Sequence, residues 1–463
     1  KSSGATMLSD QLPVSPADIG LTESGYTDAY VQVMFQLASG RVFIHAGATK
    51  DGKEEGFAVP YVRSNNLTVT AWKTNAGDRE KICRMTQNTW FGGDRSGVAG
   101  GTRLFVCGNP EHPNLMHWSD VNNPLYFPEN NYAYIGGGDQ AVTAFGKQGD
   151  LLVIYKEHEI YSAQYVAGQS YTKEDVISGR VTDVAAAAAT FPITPLHSSI
   201  GCDCPMSVRL VNNKLVWATS DAHIYMMPSV NQWSERNVRD ITAMIRRRLE
   251  EQPAEQLKAA QAGEYNGYYT LLVGNTLYLL DAGNSAFQSY AYYSSEKKAT
   301  RLLPWYTWTL PAPTEHTWAG MVSDGENIRL LAQEVQSGGP TGWIVCTLHG
   351  NTDNGAKIHS HFATKVWSFG RPERRKAVKE LYFGLGNTEG TRVDYVTERG
   401  TYEDIYRAEC TGGAAEYDAG YMVLRRLTPN INLAQCFGLR FESDGAMAID
   451  GVVLNYQIQG VMR

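Results

Sequence analysis

One pattern recurs along the chain: a short apolar strand, a tight polar turn and a second apolar strand that ends in another turn. Its copies lie at 149–161, 213–225 and 266–278, with a weaker copy from Asp324 and an earlier one formed by 103–107 and 115–118. The four later copies begin 64, 53 and 58 residues apart. Each copy predicts a β-hairpin, and the series predicts a protein built from repeated antiparallel sheets.

A single sheet of this kind has two apolar faces and cannot bury both of them alone. A ring of such sheets packs face to face and leaves only short edges. A period slightly above the roughly 40–50 residues of common propeller repeats suits four-stranded blades with inserted loops. We therefore predict a multi-bladed β-propeller over residues 27–355, in which each hairpin is the inner or middle pair of a blade. A β-sandwich or another barrel remains the alternative, because any all-β protein contains such hairpins.

Composition favours the same all-β class. Charged residues make up only 19% of the chain, and it contains 45 Gly and 26 Tyr. Its 463 residues exceed the roughly 250–300 at which a single core stops growing, so two domains are expected. Beyond the Gly/Asn-rich stretch 350–355, alternating strands predict a C-terminal β-sandwich-like domain over 356–463. Residues 1–26 are rich in Ser, Pro and Gly and predict an N-terminal arm or linker.

One segment departs from the strand pattern. Its apolar residues recur at helical spacing up to Pro253, where a second short helix begins. The pair predicts a helical-hairpin insertion at 235–262, lying outside the ring in a position for contacts between subunits. The residues that carry the helical spacing are Val238, Ile241, Met244, Ile245 and Leu249.

The net charge of −7 is unlike the basic surface of a protein that grips nucleic acid by its phosphates. An acidic wall suits a passage through which DNA slides, since like charges repel. The seven cysteines form an odd set without a dense framework, which predicts reduced and mostly buried thiols. No apolar run reaches the ~18 residues of a membrane helix, so no membrane-spanning segment is expected.

Motifs that suggest chemistry are incomplete. The segment 136–139 (Gly-Gly-Gly-Asp) is not followed by the Lys-Ser/Thr or the helix of a phosphate-binding loop, and it predicts a turn. Cys202 and Cys204 have no second ligand pair at metal-site spacing, which favours buried thiols. His359 and His361 share one face of a strand but have no carboxylate pair beside them. The sequence therefore predicts no catalytic, cofactor or metal site.

Carboxylates are plentiful, and a pair for glycoside cleavage stays open as an alternative. Examples are Asp120, Asp139, Asp221, Asp281 and Asp324. Four of these five nevertheless fall in the turns that end or open the repeated strands, where Asp caps the backbone.

Two basic clusters stand out in this acidic chain and are the candidate assembly contacts. Either they form a solvated surface, helped by the negative C-terminal end of a helix, or they dock an acidic neighbour. The first cluster is Arg236, Arg239, Arg246, Arg247 and Arg248, and the second is Arg371, Arg374 and Arg375.

Several segments together resemble a known family. An apolar strand leads to Trp118-Ser119-Asp120 and then to a proline-aromatic-phenylalanine step that ends at Phe127. The other matching segments are 103–110, 136–139, 149–156, 199–205, 214–220, 425–429 and 449–460. In these the chain resembles the DNA-stabilisation, or tail-hub nozzle, proteins of short-tailed phages and related prophages.

The resemblance implies a non-enzymatic structural protein of the virion, located in the phage tail or neck and assembled in the host cytoplasm. It implies a homo-oligomeric ring, a hexamer, which contacts tail or portal-adaptor proteins and retains and conducts DNA. The alternative is a carbohydrate-binding or carbohydrate-cleaving β-propeller on a virion or cell surface, because 10 Trp and 26 Tyr can form platforms for sugars. A cellular propeller scaffold is a third possibility.

Overall fold

The chain divides into two compact units, Lys1–Leu348 and His349–Arg463. The division falls beside the stretch 350–355 in which the sequence predicts a domain boundary. The described chain is nearly all β, in antiparallel sheets, which confirms the all-β prediction. The computed structural model describes residues 7–14, 25–36, 42–51, 53–61, 70–71, 85, 87–91, 103–120, 127–128, 131–166, 191–228, 238–288, 303–313, 315–323, 327–334, 343–348, 350, 352–353, 356–386, 391–407, 423–427, 431–445 and 447–461.

The first sheet, sheet I, is a five-stranded antiparallel meander. Its strands are β1 (Met7–Val14), β2 (Tyr26–Gln36), β3 (Val42–Lys50), β4 (Lys53–Tyr61) and β5 (Thr70–Ala71). β1 lies inside the segment 1–26 that the sequence predicts to be an arm or linker, and it pairs with β2. Pro13 has no N–H to donate, which an edge strand such as β1 tolerates.

Five further sheets follow in chain order. Sheet II contains β6 (Gln87–Phe91), β7 (Arg103–Asn109), β8 (His112–Trp118) and β9 (Tyr132–Tyr134). Sheet III contains β10 (Val142–Gln148), β11 (Leu151–Lys156), β12 (Ile160–Gln164) and β13 (Ile193–His197). Sheet IV contains β14 (Arg209–Val211), β15 (Lys214–Thr219), β16 (His223–Met227) and β17 (Arg239–Asp240). Sheet V contains β18 (Gln261–Tyr265), β19 (Tyr268–Val273), β20 (Thr276–Asp281) and β21 (Trp305–Thr309). Sheet VI contains β22 (His316–Ser323), β23 (Ile328–Glu334) and β24 (Trp343–Thr347). The hairpins predicted at 149–161, 213–225 and 266–278 are confirmed as the second and third strands of sheets III, IV and V.

The turn between the first and second strands explains why Asn and Gly recur in the repeats. Gly149 has a φ of 57° in sheet III, and Asn212 and Asn213 have φ values of 45° and 59° in sheet IV. Asn266 and Gly267 have φ values of 47° and 80° in sheet V. Tight hairpins need this left-handed conformation, which Asn and Gly adopt more readily than other residues.

Neighbouring sheets bury their faces together. One cluster of buried side chains joins sheets III, IV and V and includes Tyr155, Trp217 and Tyr269. Another joins sheets II and III around Phe105, and a third joins sheets V and VI around Leu277. Burial on both faces explains why the middle strands are continuous apolar runs and do not alternate between apolar and polar residues.

The first strands of sheets II to VI lie next to one another in chain order: β6 by β10, β10 by β14, β14 by β18, and β18 by β22. Side-chain amides join sheet III to IV, sheet IV to V and sheet V to VI. Gln148 Nε2 donates to the Asn213 carbonyl at 2.6 Å, and Asn212 Nδ2 donates to the Ala282 carbonyl at 2.9 Å. Gln261 Nε2 donates to the Ala319 carbonyl at 3.0 Å.

The helical insertion predicted at 235–262 is wrong at both ends. Its first residues include β17, the fourth strand of sheet IV, and its last ones begin β18. Between them lie two helices of five residues each, and a third short helix follows sheet V's third strand. Ile245, Leu249 and Leu257 are buried in the cluster between the sheets, so the apolar spacing marks residues that pack inward. The helices are α1 (Arg246–Glu250), α2 (Ala254–Lys258) and α3 (Ser285–Gln288).

The second unit contains two four-stranded antiparallel sheets that share one cluster of buried side chains. In that cluster the rings of Phe383 and Phe441 meet edge to face at 5.6 Å. A two-stranded ladder of β25 (Thr352–Asp353) and β26 (Ala356–Lys357) comes before them. One sheet has the order β27 (Ser360–Ala363), β33 (Gly438–Ser443), β29 (Arg392–Thr397), β30 (Gly400–Arg407); in the other, β28 (Arg374–Gly386) pairs with β31 (Val423–Leu427), β32 (Ile431–Ala434) and β34 (Ala448–Val461).

Tyr269 offers a test of the packing between sheets. Its hydroxyl donates to the Ser207 carbonyl at 2.9 Å, and the side chain is fully buried. Tyr269→Phe keeps the ring but leaves this carbonyl unpaired, and we expect a loss of about 1–3 kcal/mol in the free energy of unfolding. Urea denaturation measures this loss.

The matched control is Tyr132→Phe, since Tyr132 is exposed. We expect it to change the free energy of unfolding by less than about 0.5 kcal/mol. Equal stability of the two variants would contradict the packing described between sheets IV and V.

Candidate functional site

The described members of the first predicted arginine cluster lie where sheet IV ends and where α1 begins. Arg239 is half-buried in β17, opposite Met226. Arg246, Arg247 and Arg248 are exposed on α1. We call these four residues the arginine surface. Arg236 lies outside the described residues.

Arg246 is held by neighbours in its own chain. Its Nη2 lies 2.7 Å from Asp240 Oδ2 and 3.0 Å from His223 Nδ1. His223 Nδ1 also lies 2.9 Å from Asp240 Oδ2, and the imidazole stacks on the Tyr225 ring at 5.7 Å. Because one imidazole nitrogen either donates or accepts, it serves Asp240 or Arg246 at a given moment. The Arg246 side chain is therefore tied to the last two strands of sheet IV, through His223 of β16 and Asp240 of β17.

Asp240 is the centre of this network. Burial by itself raises the pKa of its carboxyl, but hydrogen bonds from Thr242 and His223 outweigh burial and leave the pKa below its usual range. The Thr242 backbone N–H donates to Asp240 Oδ1 at 2.8 Å. The carboxylate is therefore stabilised in its charged form.

Arg247 and Arg248 differ in how firmly their side chains are held by neighbouring residues. Arg247 has a side chain that is 95% exposed, and its Nε lies 3.6 Å from Glu251 Oε1. An exposed pair of this kind contributes little and exchanges easily for another partner. Arg248 donates to the Thr307 hydroxyl, and its carbonyl accepts from the Tyr278 hydroxyl at 3.2 Å. Arg247 is thus the member best able to meet an acidic neighbour.

The second predicted arginine cluster lies at the start of β28. Arg371 is exposed in the preceding turn, and Arg374 and Arg375 are half-buried. Lys376 is buried, and its Nζ donates to the carbonyls of Arg371 and Gln435. This buried lysine fixes the turn that presents Arg371. The sequence did not single it out, because a lysine next to two arginines looks like another solvated charge.

The predicted thiol pair is confirmed as buried. Cys202 and Cys204 are free and fully buried, and the Cys202 thiol donates to the Cys204 carbonyl at 3.3 Å. Burial raises the pKa of Cys202 to about 12. A neutral thiol of this kind is a poor metal ligand. Among the residues that the structure describes, no group of three or more His, Cys, Asp or Glu side chains is arranged to hold a metal ion.

The other incomplete motifs have structural roles. The segment 136–139 is a turn, as predicted; Gly136 has a φ of 57°, and a Cβ there would collide with the Tyr161 hydroxyl. Asp281 Oδ1 accepts from the Asn284 backbone N–H at 3.1 Å, as a turn-capping carboxylate does. His359 Nδ1 pairs with Asp444 at 2.8 Å on the surface. Asp324 lies outside the described residues.

The residues that carry the family resemblance stabilise strand ends. Ser119, of Trp118-Ser119-Asp120, is buried, and its hydroxyl accepts from the Leu104 backbone N–H at 2.9 Å. In sheet IV the Ser220 backbone N–H donates to Asp203 Oδ1 at 2.8 Å. These segments serve the turns and strands of successive sheets.

No helix in the described ranges is long and apolar enough to span a membrane.

Comparisons with known proteins give only distant likeness. No family model and no curated protein matches the chain. The extracellular domain of a hybrid two component system from B. thetaiotaomicron is 7% identical, with a TM-score of 0.39 over 93% of this chain and 60% of that one. The extracellular domain of a one component system from B. thetaiotaomicron is 9% identical, with a TM-score of 0.34 over 97% of this chain and 59% of that one.

PorZ, a bacterial surface component of the type-IX secretion system of Porphyromonas gingivalis, is 14% identical, with a TM-score of 0.24 over 89% of this chain and 54% of that one. The chain therefore spans less than two thirds of the length of these three structures. Likeness of this degree carries no argument about function.

The network around Asp240 makes stability depend on pH. A carboxyl with a lowered pKa in the folded state stabilises the protein above its unfolded pKa, and this stabilisation is lost as the pH falls through the folded value. We expect Asp240→Asn to lower the melting temperature at pH 7. The difference from the wild-type chain should shrink once the pH falls below the ordinary Asp value of about 3.9.

Asp139→Asn is the control, since Asp139 is exposed in a turn. Its melting temperature should follow that of the wild-type chain across the same pH series. A constant difference between Asp240→Asn and the wild-type chain down to pH 2 would contradict the role of the charged carboxylate.

Proposed function

We propose that this chain is the subunit of an oligomeric ring in a phage tail or neck, a tail-hub or nozzle protein that retains and conducts DNA. The observation that carries the proposal is the series of antiparallel sheets II to VI, whose first strands lie side by side in chain order. In this proposal the sheets are the blades of a β-propeller, and the second unit is a β-sandwich. The protein acts mechanically and is not an enzyme.

A stiff wall is what a DNA conduit needs, and the contacts between sheets support it. Each sheet shares buried side chains with the next, and the amides of Gln148, Asn212 and Gln261 bridge successive sheets. Close-packed interiors resist deformation. The blades therefore keep their spacing under the load of packaged DNA.

The negative net charge of the chain supports the passage of DNA without binding to it. The chain carries a net charge of −7, which disfavours contact with DNA phosphates. The arginine surface is a local exception on an acidic chain, and we assign it to contacts with an acidic neighbour: another subunit, a tail protein or a portal adaptor. The sequence resemblance adds the expectation of six subunits and of a place in the virion.

The direct test is the particle formed by the full chain, alone and mixed with phage tail and portal-adaptor proteins. We expect ring-shaped particles with sixfold symmetry in negative-stain images and a matching mass in mass photometry. Monomers under both conditions would overturn the proposal.

Arg247 allows a sharper test of how the ring forms. Arg247→Glu replaces an attractive charge with a repulsive one at the interface, and like charges there cost several kcal/mol. We therefore expect the concentration at which half of the chain assembles to rise about tenfold or more. Mass photometry across a dilution series measures this.

The control is Lys365→Glu, which makes the same charge change at an exposed residue of the second unit. It should assemble as the wild-type chain does. If Arg247→Glu assembles as the wild-type chain does, the arginine surface is not part of the interface. The imaging test alone then decides whether the chain forms a ring.

A further inference from the structure

Four aromatic side chains gather on one face of sheet V. Tyr306 and Trp308 stand two residues apart in β21, so both point to the same face of the sheet. They are 47% and 41% exposed. The Tyr268 ring meets Tyr306 at 6.2 Å and 67°, and the Tyr265 ring meets Trp308 at 6.4 Å and 72°. We call these four residues the aromatic face.

The two exposed rings are held in fixed orientations. Tyr306 lies opposite Leu279 and Trp308 opposite Leu277 in the pairing of β20 with β21, and both leucines are buried. At the end of the strand, the Trp318 indole N–H donates to the Leu310 carbonyl at 2.8 Å. Edge-to-face neighbours and a buried support restrict rotation of the rings. A ligand that stacks on them therefore meets surfaces that are already ordered.

A carboxylate lies beside the tyrosine end of this face. Asp281 is opposite Tyr268 in the pairing of β19 with β20. Burial, then the charge of Asp281, then the neighbouring Tyr306 raise the pKa of Tyr268, so its hydroxyl stays protonated at neutral pH. One Asp281 oxygen accepts from the Asn284 backbone N–H, and a carboxylate has about four lone-pair sites in all. The site thus offers hydrogen-bond donors and acceptors next to the rings.

This combination fits a sugar better than a purely apolar ligand. The C–H face of a pyranose ring is slightly positive and stacks on the negative face of an aromatic ring. The sugar hydroxyls around that face need hydrogen-bond partners, which phenol and carboxylate groups provide. The spacing of residues i and i+2 in a strand, about 6.5–7 Å, lets neighbouring sugars of one chain meet neighbouring rings.

We propose that the aromatic face is a binding site for an extended oligosaccharide, with neighbouring pyranose rings stacked on Tyr306 and Trp308 and hydroxyls bonded to Asp281. The site lies within a single subunit. It gives the protein a recognition function that does not depend on the ring.

The first experiment applies the full-length protein to an array of bacterial surface glycans and neutral oligosaccharides. We expect binding to at least one class of pyranose oligosaccharide. No binding across the array would overturn the proposal.

The second experiment locates the site by calorimetric titration of the strongest oligosaccharide from the array. Trp308→Ala and Tyr306→Ala should each raise the dissociation constant about tenfold, which corresponds to roughly 1.4 kcal/mol for the loss of one stacked ring. Trp308→Phe should recover part of the affinity because it restores a flat ring. Unchanged affinity in both alanine variants would overturn the assignment of the site.

Tyr134→Ala is the matched control. Tyr134 is 57% exposed on the last strand of sheet II and pairs edge to face with Tyr132 at 5.9 Å. This variant should keep the wild-type affinity, and a loss equal to that of Trp308→Ala would contradict a specific site. Mass photometry of the same variants separates the two proposals, since Trp308→Ala should still form the wild-type particle.

Discussion

The structure of the first unit depends on the burial of sheet faces against each other, and sheet IV is the clearest case. Its Trp217 side chain is fully buried, lies 5.1 Å from the Tyr155 ring of sheet III and donates to the Gly201 carbonyl at 2.9 Å. On the other side, Tyr269 of sheet V donates to the Ser207 carbonyl. A sheet that is apolar on both faces is unstable alone. Each sheet is therefore stable only when it packs against its neighbours. The repeated apolar strands of the sequence supply the two apolar faces that this packing needs.

Predictions from the sequence succeeded where short-range chemistry decides the structure. The hairpins follow from apolar runs bounded by Asn and Gly turns, as at Asn213 and Asn266, whose left-handed conformations are local. The helical insertion was predicted too long: Val238 and Ile241 share the helical spacing but flank strand β17, and only the residues after Ile245 are helical. Packing against the sheets decided between the two conformations, and packing is not local.

The candidate sites were predictable only in part, for the same reason. The arginines of the first cluster lie within 13 residues of one another in the sequence, but the partners that hold them are distant in it: Arg246 contacts His223, and Arg248 contacts Thr307. Which arginine stays available, Arg247, follows only from those contacts. The aromatic face had a local signal, the alternating aromatic residues of β21. The two tyrosines that support it come from β18 and β19, so its geometry required the fold.

The first and last strands of the sheets differ in what their side chains contact. The first strands lie against one another, where a change of side chain disturbs two sheets at once. The last strands are farthest from those contacts, and they carry the exposed tyrosines of β9, Asp240 of β17, and Tyr306 with Trp308 of β21. Substitutions there alter a surface without opening the core. Of the arginine surface, Arg239 lies on such a last strand and the other three arginines follow it on α1; of the aromatic face, the exposed Tyr306 and Trp308 lie on β21. Substitution of these exposed side chains changes the surface and leaves the contacts between the first strands intact.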